Sequence, residues 1–450
     1  MSEGSGYGNG RPVLVAGAAV AGGAAAHALL RRGAAVTVVD RRASTATEEL
    51  AAAGARVVIA DDPPPGLLDG VTDLVVSPGF APRHRLVTAA LGAGLDVYSE
   101  PELAWRLRDP GAPPWLAVTG TNGKTTTVTM LAAILRAGGL RATAAGNIGT
   151  PLVDIAGYDV LAVELSSQQL HYSRTLAPEA GALLNLAPDH LEWHGSFEAY
   201  VTAKTAIWRA AGRCVGNLDD ERVAGLLPAG GTGFTLGEPE PGQFGVVDAT
   251  LVDHTGAGLV AVADIRPAGA HNLANALAAA ALARGYAPAE AVREGLTGYQ
   301  PEPHRNAPVA TVDGVGWVDD SKATNPHAAL ASLSAYPRVV WIAGGQLKGV
   351  DVDDLVRTVA GRLAGAVLLG VDRAQLARAL ARHAPRVPVV EVASTDDGAM
   401  REVVRAAAAM AGPGDTVLLA PAAASKDMFT GYDQRGDAFA DAVARRGAAR

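Results

Sequence analysis

Lys124 follows Gly120 and Gly123 in the segment 115-WLAVTGTNGKTTTVTMLA-132, with Thr125 and Thr126 directly behind it. These residue types suit a polyphosphate. Glycines let backbone N–H groups wrap around phosphate oxygens, a lysine reaches the terminal phosphates, and a threonine hydroxyl can sit on Mg2+. An apolar strand runs in and an apolar helix runs out, so the helix N-terminus faces the anion. Thr121 and Asn122 complete the loop. The alternative, a glycine-rich turn with an exposed lysine, suits this strand–loop–helix context poorly, and ATP binding is the expectation. The spacing is unusual, because the common loop is G-x-x-x-x-G-K-[ST] and the residue five before Gly123 is Val118.

Further chemistry-bearing residues lie downstream. Glu164 ends the apolar run VLAVE, where an unpartnered carboxylate would be a poor core residue and a good hard-oxygen metal ligand. Asp189, His190, Glu192 and His194 crowd the stretch after GALLNL, at the edge where α/β proteins place sites. Lys204 ends 200-YVTAK-204 on an expected helix. An ammonium there would repel Mg2+, so a metal role requires chemistry that makes the side chain anionic, such as carbamylation. Upstream, Gly17, Ala19 and Gly22 occupy the places of a G-x-G-x-x-G fingerprint, and Asp40 ends the next strand where a ribose-binding acid would sit. A degraded dinucleotide site and a plain tight turn both remain open. Arg41, Arg42 and the backbone N–H groups of the Ser77-Pro78-Gly79 turn are candidate phosphate contacts, with solvated surface arginines as the alternative.

These residues need sheets to hold them. The 450 residues are 49% hydrophobic and 19% charged, enough for several buried cores. A net charge of −8 argues against nucleic-acid binding and requires local Lys and Arg clusters for any anionic substrate. The single cysteine, Cys214, excludes an internal disulfide and a cysteine metal site, which fits a cytoplasmic protein. No apolar run reaches the length of a membrane span, and the polar leader MSEGSGYGNGRP lacks the features of a signal peptide. Strands expected at AVTVVD, RVVIA, DLVVS and DVYSE give residues 1–99 a Rossmann-like sheet. Residues 100–301 form a central P-loop ATPase-like α/β block with a small antiparallel patch at FGVVDATLVD and GLVAVADI. In residues 302–450, VVWIAGG, AVLLGVD, VPVVEVA and TVLLAP supply four strands of a second Rossmann-like α/β unit.

Taken together, GTNGKTT, 146-GNIG-149, 164-ELSS-167, 189-DHLEWH-194 and 200-YVTAK-204 closely resemble the central domain of the Mur ligases, the ATP-dependent amino-acid ligases of peptidoglycan assembly. The shortened phosphate loop has that family's spacing. The resemblance implies that Lys124 and Thr125 bind ATP phosphates and Mg2+, that Glu164 and His190 are Mg2+ ligands, and that a carbamylated Lys204 holds a second Mg2+ ion. Asn147 and Ser166 would line the place of the reacting carboxylate. It further assigns Asn272 and Asn275 of 269-GAHNLANALAA-279 to the adenine, Arg305 of PHR to the terminal phosphate, and Asp320 to the ribose.

The form 320-DSKATN-325 points within the family to addition of D-glutamate to UDP-N-acetylmuramoyl-L-alanine. Lys322, Thr324, Lys348, Ser425 and Tyr432 would line the acceptor site, with Tyr432 standing where the pattern usually has phenylalanine. Asp40, Arg41 and Ser77 would then serve a uridine-diphosphate handle. The implied enzyme is a monomer with two small-molecule substrates besides ATP. Two rivals stay open: a sister ligase for another amino acid or a folate, and a binding, regulatory or NAD(H)-dependent protein on the same fold. A nicotinamide role would want the glycine that Ala19 replaces.

Overall fold

The computed structural model describes residues 10–301, 303–394 and 398–448. Three α/β domains are each built on one large sheet. The described chain divides into two compact units, Met1–Asp264 with Ala274–Gly298, and Ile265–Leu273 with Tyr299–Arg450. The first two sheets therefore lie in one unit and the third in the other.

The first sheet is parallel, in the order Arg56–Ile59, Ala35–Asp40, Pro12–Ala16, Asp73–Val76, Asp96–Ser99. Its central strands, Pro12–Ala16 and Asp73–Val76, are apolar runs buried on both faces, as a covered parallel sheet demands, while the edge strand Arg56–Ile59 is more exposed. Helix Val20–Arg31 follows the first strand across the turn that holds Gly17 and Ala19. A Cβ on Gly22 would meet the Gly17 carbonyl oxygen at 1.9 Å, so that glycine is required by helix-to-strand packing, whatever binds nearby.

The second sheet is also parallel, in the order Thr232–Phe234, Arg213–Asn217, Ala180–Leu183, Trp115–Thr119, Val160–Glu164, Ala142–Gly146. Trp115–Thr119 is the earliest of the six in the chain and sits between two later ones. Connections leave it on both sides, opening the crevice where open α/β sheets place ligands. The expected antiparallel patch is present as the strands Gly245–Val247, Thr250–Val252 and Gly258–Ala261.

Among the described residues of the second unit the sheet has six strands, two more than the four apolar runs of the sequence, in the order Ala307–Val312, Val315–Asp319, Thr416–Leu419, Val339–Gly344, Leu363–Leu369, Val389–Glu391. The additional pair is an antiparallel hairpin turning at Asp313-Gly314, both at positive φ. An Asp-Gly turn is a strong hairpin signal. The remaining neighbours are parallel.

Within the first unit, helix Glu100–Arg106 ties the two sheets together through buried carboxylates. Glu102 is fully buried and accepts from the Arg174 and Thr175 N–H groups, the Thr175 hydroxyl and Arg106 Nε. Glu100 accepts the Val153 N–H at 2.9 Å, and burial pushes its carboxyl up to about 7. Because the folded protein holds this proton more tightly than the unfolded chain, Glu100 makes stability fall as pH rises from about 4.5 to about 7, and the loss is complete above that window. The effect is at most about 3 kcal/mol, since the helix N-terminus offsets part of it. Glu100→Gln should therefore raise the melting temperature relative to wild type at pH 8 but not at pH 4.5. An equal difference at both pH values would contradict this.

Candidate active site

The phosphate loop joins the strand Trp115–Thr119 to helix Lys124–Ala137. Gly123 is the N-cap residue at φ 84°, and a Cβ there would lie 2.3 Å from Asn275 Oδ1. Only glycine fits. Thr121 N–H donates to the Asn185 carbonyl, and Asn122 N–H donates to Asn185 Oδ1 at 2.8 Å. Asn185 Nδ2 returns a bond to the Asn122 carbonyl, so this side chain pins the loop from the neighbouring strand end. The Thr121 hydroxyl meets the Tyr200 hydroxyl at 2.8 Å. Lys124 Nζ donates to the Gly120 and Thr121 carbonyls, both at 2.9 Å, which keeps the cation over the loop.

Glu164 lies at the adjacent strand end, 2% exposed. It accepts from Thr125 Oγ1 at 2.7 Å and from Asn147 Nδ2 at 2.9 Å. The structure thus brings together Thr125, Asn147 and Glu164. Thr126 is buried in the first turn of the same helix. Ser166 caps the short helix Ser167–His171, its Oγ accepting from Gln169 N–H.

Lys204 is 2% exposed and donates to the Gly120 carbonyl at 2.7 Å. Burial holds its amine well below the ordinary lysine range, and the nearby Lys124 cation adds to the shift, against opposing pulls from Asp189 and Glu164. His190 stands at the N-cap of Leu191–His194 with φ 51°, half-exposed, its ring Nε2 3.7 Å from Asp189 Oδ2. Glu192 is exposed. His194 Nε2 contacts Ser167 Oγ at 2.9 Å, and burial lowers its imidazole to about 4.

Among the described residues no three His, Cys, Asp or Glu side chains gather as a metal cage. Mg2+ is commonly held by one or two carboxylates, with phosphates and waters completing its shell. The paired Thr125 hydroxyl and Glu164 carboxylate offer hard oxygens suited to that mode.

On the first sheet, Asp40 does not stand open as a ribose acceptor, since Oδ2 accepts the Ala18 N–H at 2.7 Å and Oδ1 the Arg42 N–H. Arg41 and Arg42 are exposed. The rim of N–H groups expected at Ser77-Pro78-Gly79 is reduced: proline has no N–H, and Ser77 N–H is consumed by the Ala16 carbonyl. The Ser77 hydroxyl oxygen is buried with no partner among the described residues, close to Gly17 and Gly22 at the start of Val20–Arg31. Ala19, the N-cap, gives that helix no side-chain cap. An uncapped helix start beside this hydroxyl leaves donors of the kind an anion uses.

In the second unit, Asn272 Nδ2 donates to the Ala268 carbonyl. Arg305 is half-buried and lowers the Asp320 carboxyl electrostatically, although burial dominates and raises it to about 6. His304, at φ 62°, contacts Asp319 Oδ2 at 2.6 Å. Lys322 Nζ sits 4.1 Å from the centre of the Tyr432 ring, a cation–π arrangement. Thr324 N–H donates to the Lys322 carbonyl, Lys348 is exposed at φ 54°, and Ser425 is buried.

One residue that the sequence reading missed organises these segments. Arg435, 1% exposed on helix Tyr432–Ala448, donates Nε to Ser321 Oγ, Nη2 to the Ser321 carbonyl, and Nη1 to the Gly344 and Ala423 carbonyls. It thereby fixes the three loops that carry Lys322, Lys348 and Ser425. A signal existed: Arg435 shares a helical face with Phe439, Ala442 and Val443, all buried, and a charge in such a stripe demands partners.

Comparison with known proteins now decides the family. The Mur ligase middle domain matches residues 118–283, and the Mur ligase glutamate ligase domain matches residues 304–423. A UDP-N-acetylmuramoylalanine–D-glutamate ligase of Thermobifida fusca is 58% identical over 395 residues, covering 83% of this chain and 84% of the relative. The chain belongs to the Mur ligase family. Proteins of the same name from Streptomyces avermitilis and Mycolicibacterium smegmatis are 54% and 51% identical to this Mur ligase, covering 85% and 82% of it and 86% and 84% of their own lengths. Among solved structures, a UDP-N-acetylmuramate–alanine ligase from Thermotoga maritima shares the fold with a TM-score of 0.60 at 16% identity, over 98% of this chain and all (100%) of that one. The family is ATP-dependent, and among the described residues no helix is long and apolar enough to cross a membrane.

Proposed function

We infer that this Mur ligase joins the amine of D-glutamate to the alanyl carboxylate of UDP-N-acetylmuramoyl-L-alanine, using ATP, in peptidoglycan precursor synthesis. The observation that carries the chemistry is the Lys204 amine buried against the phosphate-loop carbonyl of Gly120, beside a Glu164 that Thr125 and Asn147 hold in place. The choice of acceptor rests on the relatives named above.

The substrate carboxylate attacks the γ-phosphorus of ATP and ADP leaves. The resulting acyl phosphate has the leaving group that a free carboxylate lacks. The D-glutamate amine then attacks the acyl carbon, loses a proton, and expels phosphate as the amide forms. Lys124 and the N–H groups at the start of helix Lys124–Ala137 hold the phosphates of ATP, offsetting the repulsion between anionic reactants. Thr125, Glu164 and His190 would hold Mg2+, which supplies charge neutralisation at the transferred phosphoryl group. A neutral Lys204 amine can add to CO2, giving up a proton and becoming a carbamate anion suited to a second ion. Its burial and depressed basicity support that assignment. Asn147 and Ser166 are assigned to the reacting carboxylate.

Residues 1–99 take the uridine diphosphate through Ser77, Arg41 and the start of helix Val20–Arg31. Residues 100–301 take ATP. Residues 302–450 take the acceptor through Lys322, Thr324, Lys348, Ser425 and Tyr432. The enzyme works as a cytoplasmic monomer. The test is amide formation with the UDP precursor, ATP and Mg2+ across D-glutamate, L-glutamate, L-alanine and a diamino acid. Product with D-glutamate alone is expected. Preference for another acceptor, or none, would overturn the reading.

A further inference from the structure

Helix Leu191–His194, which directly follows His190, is fastened to the first domain. Trp193 is 9% exposed and packs among Leu14, Ala16, Val39, Leu74 and Val76 of the first sheet. Its indole Nε1 donates to the Pro78 carbonyl at 2.9 Å. Tyr172, also in that cluster, donates its hydroxyl to the Phe80 carbonyl at 3.0 Å. The two rings meet edge to face with centroids 5.8 Å apart. Two aromatic donors thus take alternate carbonyls of one turn, Ser77 to Phe80.

At its other end the same helix controls His190. The His190 carbonyl accepts both the Trp193 and His194 N–H groups, each at 3.0 Å, and its backbone is in the left-handed region. His194 also reaches Ser167 at 2.9 Å, next to the segment that follows Glu164. A shift of the His190 backbone would break these two bonds or carry Trp193 with it, and a shift of Trp193 would break its bond to the turn.

We propose that Trp193 and Tyr172 are positioning residues that couple the two substrate sites, so that a uridine diphosphate seated at the Ser77–Phe80 turn favours the placement of His190 that serves the Mg2+–nucleotide. This rests on the functional reading above, in which the turn receives the UDP group and His190 a metal. By reciprocity, the Mg2+–nucleotide tightens binding of the UDP precursor by the same factor. One neutral hydrogen bond of this kind corresponds to about a 2- to 10-fold change in an equilibrium constant.

The experiment measures the dissociation constant of UDP-N-acetylmuramoyl-L-alanine for the full chain by calorimetry, alone and with saturating Mg2+ and a non-hydrolysable ATP analogue. Wild type should bind more tightly in the second condition. Trp193→Phe and Tyr172→Phe should each bring that ratio about 2- to 10-fold closer to one, with nucleotide affinity in the absence of precursor changed less than about 2-fold. Tyr172→Phe removes one oxygen and keeps the ring, so it reports even if Trp193→Phe does not fold. A ratio unchanged in the folded variants, or equal to one in wild type that binds both ligands, overturns the coupling alone. Failure of wild type to bind the UDP precursor overturns the functional reading and the coupling with it.

Discussion

With Lys204 replaced by alanine, kcat should fall by about 10^2- to 10^3-fold, the range for loss of one preorganised electrostatic group at a transferring centre. The side chain is fully enclosed and its amine donates to the Gly120 carbonyl of the phosphate loop. An ordinary structural lysine in that position would keep its charge by pairing with a carboxylate. Burial instead drives the amine toward the neutral form that reacts with CO2. Wild-type protein exchanged with 13C-labelled bicarbonate should show a carbamate resonance that Lys204→Ala lacks. A decrease of less than about tenfold in kcat, in a variant whose melting temperature shows it is folded, would contradict a role in holding metal.

Arg435→Met should destabilise the second unit by about 3–5 kcal/mol. The guanidinium satisfies the Ser321 hydroxyl and the Ser321, Gly344 and Ala423 carbonyls within a closed environment. Methionine fills similar volume and leaves all four acceptors without their donor. Burial lowers the Arg435 pKa only to about 10, so the group stays charged at neutral pH, aided by Asp427 and Asp319. Because the three loops it gathers carry Lys322, Lys348 and Ser425, the KM for the acceptor amino acid should rise more than the KM for ATP. Denaturant unfolding checks the first effect and steady-state kinetics the second. Stability within about 1 kcal/mol of wild type would contradict the assignment.

Local chemistry was the most readable part of the chain. The phosphate loop stood out because glycines, a lysine and hydroxyls fall between an apolar strand and an apolar helix, and the structure has strand Trp115–Thr119 and helix Lys124–Ala137 there. Runs of valine and leucine marked the central parallel strands. Ala142–Gly146, with the sequence ATAAG, escaped because small residues carry little strand propensity and its pairing with Val160–Glu164 is long-range. The Ala307–Asp319 hairpin carries an Asp-Gly turn signal but no long apolar run to mark its strands. Residues that act through geometry were the least visible. Asn185 and Arg435 belong to no short motif, Trp193 and Tyr200 stand inside DHLEWH and YVTAK without chemistry of their own there, and each reaches its partners across a fold that spacing alone does not draw. Asp40 illustrates the converse, for its place at a strand end suggested a ribose contact while the folded chain gives its carboxylate to the Ala18 and Arg42 N–H groups.

The central claim is that ATP activates a carboxylate that an amine then captures. It is tested most directly by labelling the alanyl carboxylate oxygens of UDP-N-acetylmuramoyl-L-alanine with 18O and analysing the phosphate released in the presence of ATP, Mg2+ and D-glutamate. One labelled oxygen per phosphate is expected, because the carboxylate oxygen that attacks the γ-phosphorus leaves with it. Phosphate free of label, formed alongside the amide product, would contradict the account.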